Sequence, residues 1–133
     1  MTLQSFINET GIVLTAQPTD HNPHMTSSDA MDHWKVKLVG KRLGNATMRL
    51  YFSMGAGHNG AAPTVENVLD CLASDASGFD NSTSFEDWCA EYGYSEDSRT
   101  ALKTFKTVER QAGRLRRFLG EEYFNVLLNA ERL

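Results

Sequence analysis

The chain has 133 residues, 41% apolar and 23% charged, with a formal net charge of −4. That is the length of one ordinary domain with enough apolar material for a core, which excludes a two-domain plan and global disorder. The acidic balance argues against nucleic-acid binding through bulk charge, and no run nears the roughly 18 apolar residues of a membrane helix.

Leu3, Phe6 and Ile7 fall on one side of a short helix predicted over residues 2–9, and Gly11 stops it. Ile12 to Thr15 reads as a first strand. From Pro18 to Asp32, two prolines, two histidines and many Ser, Thr, Asn and Asp residues predict a long loop. Trp34, Val36 and Leu38 then alternate with Lys35 and Lys37, and Met48, Leu50, Phe52 and Met54 with Thr47, Arg49, Tyr51 and Ser53. Gly40 and Gly44-Asn45 supply turn residues between them. The pattern predicts an antiparallel hairpin with one apolar face and one polar, partly basic face.

Beyond Pro63 the signals turn helical. Thr64 is an N-cap for a helix whose stripe is Val65, Val68, Leu69 and Leu72. Ser84, with Asp87 three residues on, caps a second, buried through Phe85, Trp88, Cys89 and Tyr92 and stopped by Gly93. Ser95, Glu96 and Asp97 begin the longest helix, running to Leu119, because acidic groups suit a first turn. Its apolar stripe is Leu102, Phe105, Val108, Ala112, Leu115 and Leu119. Gly120 ends it, and residues 123–128 make a last short helix. The expected fold is a single α+β domain over 1–133: strands and loops over 1–62, helices over 63–133, and a small antiparallel sheet of two to three strands packed against the C-terminal helices.

Charge is segregated along the chain. Between Leu50 and Ser98 stand nine acidic residues and no Lys or Arg, among them Glu66, Asp70, Asp75, Asp80, Glu86, Asp87 and Glu91. Arg99 to Arg117 then carries seven basic residues against one acidic. Lys103, Lys106, Arg110, Arg114 and Arg117 recur at helical spacing and share one face. Solvated faces that neutralise each other across a helix contact are one account of this pattern. An acidic patch that opposes a basic groove on a partner is a second. Direct nucleic-acid contact by the basic helix, aided by Lys35, Lys37, Lys41, Arg42 and Arg49 on the hairpin, is a third.

Motifs for chemistry are weak. Gly55-Ala56-Gly57-His58-Asn59-Gly60 matches G-x-G-x-x-G after a strand, but Pro63 intervenes before the helix and no βαβ unit follows, so it reads as a connection. His21 and His24, with Asp20, Asp29, Asp32 and His33 nearby, lie in a loop-like stretch without the ordered placement zinc needs, and no metal or other cofactor is expected. His33 and His58 read as turn or surface residues. No Gly-x-Ser-x-Gly elbow occurs. Cys71 and Cys89 read as small buried apolar groups, suited to a reducing cytoplasm. No constellation points to an enzyme. The N-terminus shows no signal-peptide pattern.

Met31-Asp32-His33-Trp34, Gly57-His58-Asn59-Gly60-Ala61, the run from Leu69 to Ala76, and Ser84-Phe85-Glu86-Asp87-Trp88-Cys89 with Tyr92-Gly93-Tyr94 and Asp97-Ser98-Arg99 behind it together resemble small accessory proteins of double-stranded DNA phages and prophages. That resemblance covers most of the chain beyond about Met25 and brings no catalytic residues. It implies stoichiometric binding to a host machine, inhibitors of CRISPR and other defence systems being one such class. The leading expectation is therefore a non-enzymatic, cytoplasmic protein that inhibits a host protein or ribonucleoprotein complex, its acidic residues from Glu66 to Glu91 filling a basic groove. The alternatives are a nucleic-acid-binding accessory protein using the basic helix, and a structural component that self-associates as a homodimer through the long helix's apolar face.

Overall fold

In the computed structural model the described residues are 1–19, 31–55, 62–77 and 84–131, the side chains of 31, 32, 54, 55 and 92 excepted. Thr2 caps α1 (Leu3–Thr10), its hydroxyl accepting the Ser5 N–H at 3.1 Å. Leu3 and Phe6 turn inward, as their spacing predicts. β1 (Ile12–Thr19), β2 (Met31–Gly40) and β3 (Ala46–Gly55) form an antiparallel sheet in the order β1-β2-β3. Val36 pairs with Leu50 and Leu38 with Met48, so the alternating apolar residues of both strands meet on one face. In the β2–β3 turn, Gly44 and Asn45 both take positive φ, which few other residues tolerate.

Two strands are longer than their sequence suggests. β1 continues through Pro18 to Thr19, and β2 starts at Met31, before Trp34. Pro18 is tolerated because β1 is an edge strand, where a missing N–H costs no ladder hydrogen bond on the outer side. His33 is not a surface turn residue: it lies within β2, only 6% exposed, with Nδ1 2.9 Å from the Ser53 hydroxyl directly across on β3.

The helices cover one face of the sheet. α2 (Val65–Ser77) starts at Thr64, whose hydroxyl accepts the Asn67 N–H at 3.1 Å while the Asn67 amide oxygen accepts the Thr64 N–H at 3.3 Å. α3 (Phe85–Tyr92) is capped by Ser84 and ended by Gly93. α4 (Arg99–Leu119) starts four residues later than Ser95: Ser98 is the cap, accepting the Ala101 N–H at 3.1 Å, and Glu96 and Asp97 precede the helix. Gly120 (φ 82, ψ 159) lets the chain swing directly into α5 (Glu121–Leu128). That corner is braced by the Arg116 guanidinium, 4.7 Å over the Phe124 ring and 3.5 Å from Glu121.

The main core joins Trp34, Val36, Leu38, Met48 and Leu50 of the sheet to Phe6, to the apolar stripe of α2, and to Leu115, Phe118, Leu119, Phe124 and Leu127. Burying each large side chain contributes about 1.5–3 kcal/mol. A second, separate cluster of Trp88, Cys89, Ala101 and Phe105 holds α3 on the first turns of α4. The predicted α4 stripe fails at its start. Leu102 is 40% exposed, and Ala101 is buried in its place, because α3 covers that flank of the helix. Among the described residues no helix is long and apolar enough to cross a membrane.

Candidate nucleic-acid interface

Among the described residues the sheet's other face carries no helix layer. Side chains alternate across a strand, and the register sets out two rows there: Thr15–Lys37–Arg49 and Gln17–Lys35–Tyr51. Lys37 therefore sits directly opposite Arg49, and Lys35 directly opposite Tyr51. Like charges in that relation cost about 0.2–1 kcal/mol, so folding gains nothing from the Lys37–Arg49 pair.

α4 borders the same face at β3. Arg114 crosses to the strand, donating through Nη2 to the Arg49 carbonyl oxygen and through Nη1 to Gln111 at 3.4 Å. It thereby closes a groove of about 530 Å³ lined by both rows, with four cations (Lys35, Lys37, Arg49 and Arg114) and no carboxylate among the lining residues. Arg117, one turn on, lines a smaller recess with Arg114 beside Thr47. Burial, then the neighbouring Arg117 and Arg110, push the Arg114 guanidinium below its ordinary arginine value. The crowding of positive charge is thus built into the site, and an anion would relieve it.

Of the five basic residues that share one face of α4, only Arg114 and Arg117 reach the sheet. Lys103, Lys106 and Arg110 are exposed farther along the same helix face. Lys103 lies about 16 Å from Arg114 at the helical rise. Arg116 is taken by the α4–α5 corner.

The acidic residues lie elsewhere and on several faces. Glu66 and Asp70 are one turn apart on α2, and Asp87 and Glu91 one turn apart on α3. Asp75, about half a turn around α2 from Glu66, lines a cavity of about 230 Å³ with Trp88, Tyr94 and Thr104, where burial raises its carboxyl. Asp80 is outside the described residues, as are Asp20, His21, His24, Asp29, the Asp32 and Tyr92 side chains, and residues 56–60 of the glycine-rich run. Arg116 and Glu121 form an ion pair within the α4–α5 corner, away from the acidic residues of α2 and α3.

Among the described residues no three His, Cys, Asp or Glu side chains gather as a metal site would require. Cys89 is buried as expected, whereas Cys71 is on the exposed side of α2. Its thiol is nonetheless pushed up to about 11, chiefly by burial and then by Asp75 and Asp70. The thiolate is the reactive form. Alkylation of Cys71 is therefore expected to be slow at neutral pH and to climb to only half its limiting rate near pH 11, as iodoacetamide labelling followed by mass spectrometry will show. Fast labelling at pH 8 would contradict that environment.

No family model, curated protein or solved structure matches the chain. The hairpin cations are visible in the sequence as the polar half of an alternation. Their meeting with Arg114 is not, because the two stretches join only through the docking of α4 on β3.

Proposed function

We propose that this chain is a non-enzymatic accessory protein that binds nucleic acid through the open face of its sheet. One observation carries the reading: four cations from three separate elements line a single groove that holds no carboxylate among its lining residues. Two of them stand in a register that costs stability. The net charge of −4 does not oppose this, since the acidic residues of α2 and α3 lie outside the groove. The resemblance to phage accessory proteins supports a setting in the bacterial cytoplasm.

Fluorescence anisotropy of a labelled oligonucleotide tests the proposal. Each phosphate neutralised releases counterions, so four contacts predict a slope of log affinity on log salt of about −3 for a single strand. Affinity that ignores salt between about 50 and 200 mM, or no binding to DNA or RNA of either strandedness, overturns it.

A second reading keeps the inhibitor hypothesis, favoured by Glu86, Asp87 and Glu91, which are exposed on α3 and make no ion pair among the described residues. In that reading α3 docks on a basic groove of a host defence complex. Wild-type protein would then retain such a complex from a nuclease-treated lysate of a CRISPR-bearing bacterium. The Glu86→Lys, Asp87→Lys, Glu91→Lys variant would lose it while still binding oligonucleotide. Retention by both proteins would rule out the acidic face.

A further inference from the structure

Resting on the nucleic-acid reading, we infer that the groove takes single-stranded rather than duplex nucleic acid, with one unstacked base on the Tyr51 ring and the adjoining phosphates on Lys35, Lys37, Arg49 and Arg114. Tyr51 is the one aromatic among the described residues that line the groove. It is half-buried within the row of cations, opposite Lys35 and two positions along β3 from Arg49. Two residues along a strand span about 6.6–6.8 Å, so a ring and a cation succeed each other on the groove floor at nucleotide scale.

A duplex could satisfy the cations but not the ring. Its bases are stacked inside the helix, and only edges reach a protein. Single strands expose base faces, and proteins that bind them combine a cationic track with aromatic platforms. The volume of about 530 Å³ falls within the range of small-ligand sites, roughly 300–1,000 Å³. That accommodates a nucleotide or two. Arg114 is held by Gln111 and the Arg49 carbonyl, so one wall of the groove is fixed before a ligand arrives.

The test compares an oligothymidylate, its RNA counterpart and a duplex of equal length on the wild-type protein and three variants, Tyr51→Ala, Tyr51→Leu and Tyr51→Phe. The single strands, DNA or RNA, are expected to bind at least about tenfold tighter than the duplex. Loss of one stacked base is worth about 1–3 kcal/mol, a weakening of about 5- to 150-fold in Tyr51→Ala. Tyr51→Leu, which keeps apolar bulk in the sheet, should weaken equally, and Tyr51→Phe should bind as wild type. The salt slope should not change in any of them, because no phosphate contact is removed. Photocrosslinking of an iodouracil-bearing strand should label Tyr51. Duplex binding as tight as single-strand binding, or Tyr51→Ala and Tyr51→Leu at wild-type affinity, overturns the single-strand inference and leaves nucleic-acid binding standing. Absence of binding to any of the three nucleic acids overturns both.

Discussion

Lys37→Glu is expected to weaken oligonucleotide binding by about 10- to 100-fold while leaving the fold as stable as before or slightly more so. The two effects have opposite origins. A charge-assisted hydrogen bond to a phosphate is worth about 1.5–3 kcal/mol, and the new carboxylate would also repel the backbone. Within the protein, Lys37 is paired across the ladder with Arg49. Glutamate there turns a like-charge contact into an ion pair between exposed groups, a gain of about 0–1 kcal/mol. Anisotropy titration and urea unfolding of the same preparation separate the terms. Affinity and stability falling together would mean structural damage, and unchanged affinity would remove Lys37 from the interface.

Leu115→Ala is expected to cost about 2–5 kcal/mol, the range for a truncated core leucine whose cavity closes only in part. Leu115 is fully buried in the main core, and it follows Arg114 directly in the chain, so it anchors the stretch of α4 that walls the groove. Against a total stability of about 5–15 kcal/mol, the loss would move the urea midpoint substantially. Leu115→Met, which conserves volume, should cost less than about 1.5 kcal/mol. Equal losses in the two variants would argue against a close-packed site.

The elements most legible in the sequence are those whose pattern is local. The Trp34–Val36–Leu38 and Met48–Leu50–Phe52 alternations and the Val68–Leu69–Leu72 stripe emerge as buried or half-buried faces, because period 2 and period 3.6 are set by backbone geometry alone. Thr64, Ser84 and Gly93 cap as expected, since a cap needs only its own turn. What was hidden depends on neighbours distant in the chain. Pro18 sits in a strand because β1 lies at an edge. His33 is buried because β2 extends to meet Ser53, and Leu102 yields its inward place to Ala101 because α3 lies on one side of α4. The groove is the strongest case. Arg49 and Arg114 are separated by 65 residues, and the periodicity of α4 puts five basic residues on one face without saying that the last two border a sheet.

The two-cluster interior has a spectroscopic and kinetic consequence. The chain's two tryptophans are divided between the clusters: Trp34 in the main core, and Trp88 in the satellite, stacked on Tyr94 at 4.9 Å. α3 leans chiefly on α4, so it can detach without opening the sheet. Units of this kind open at a lower free energy than the whole molecule. Trp88 emission then follows the detachment of α3, and Trp34 emission follows global unfolding. A molecule that has released α3 keeps its cationic sheet face intact, because the core that holds the sheet contains no α3 residue.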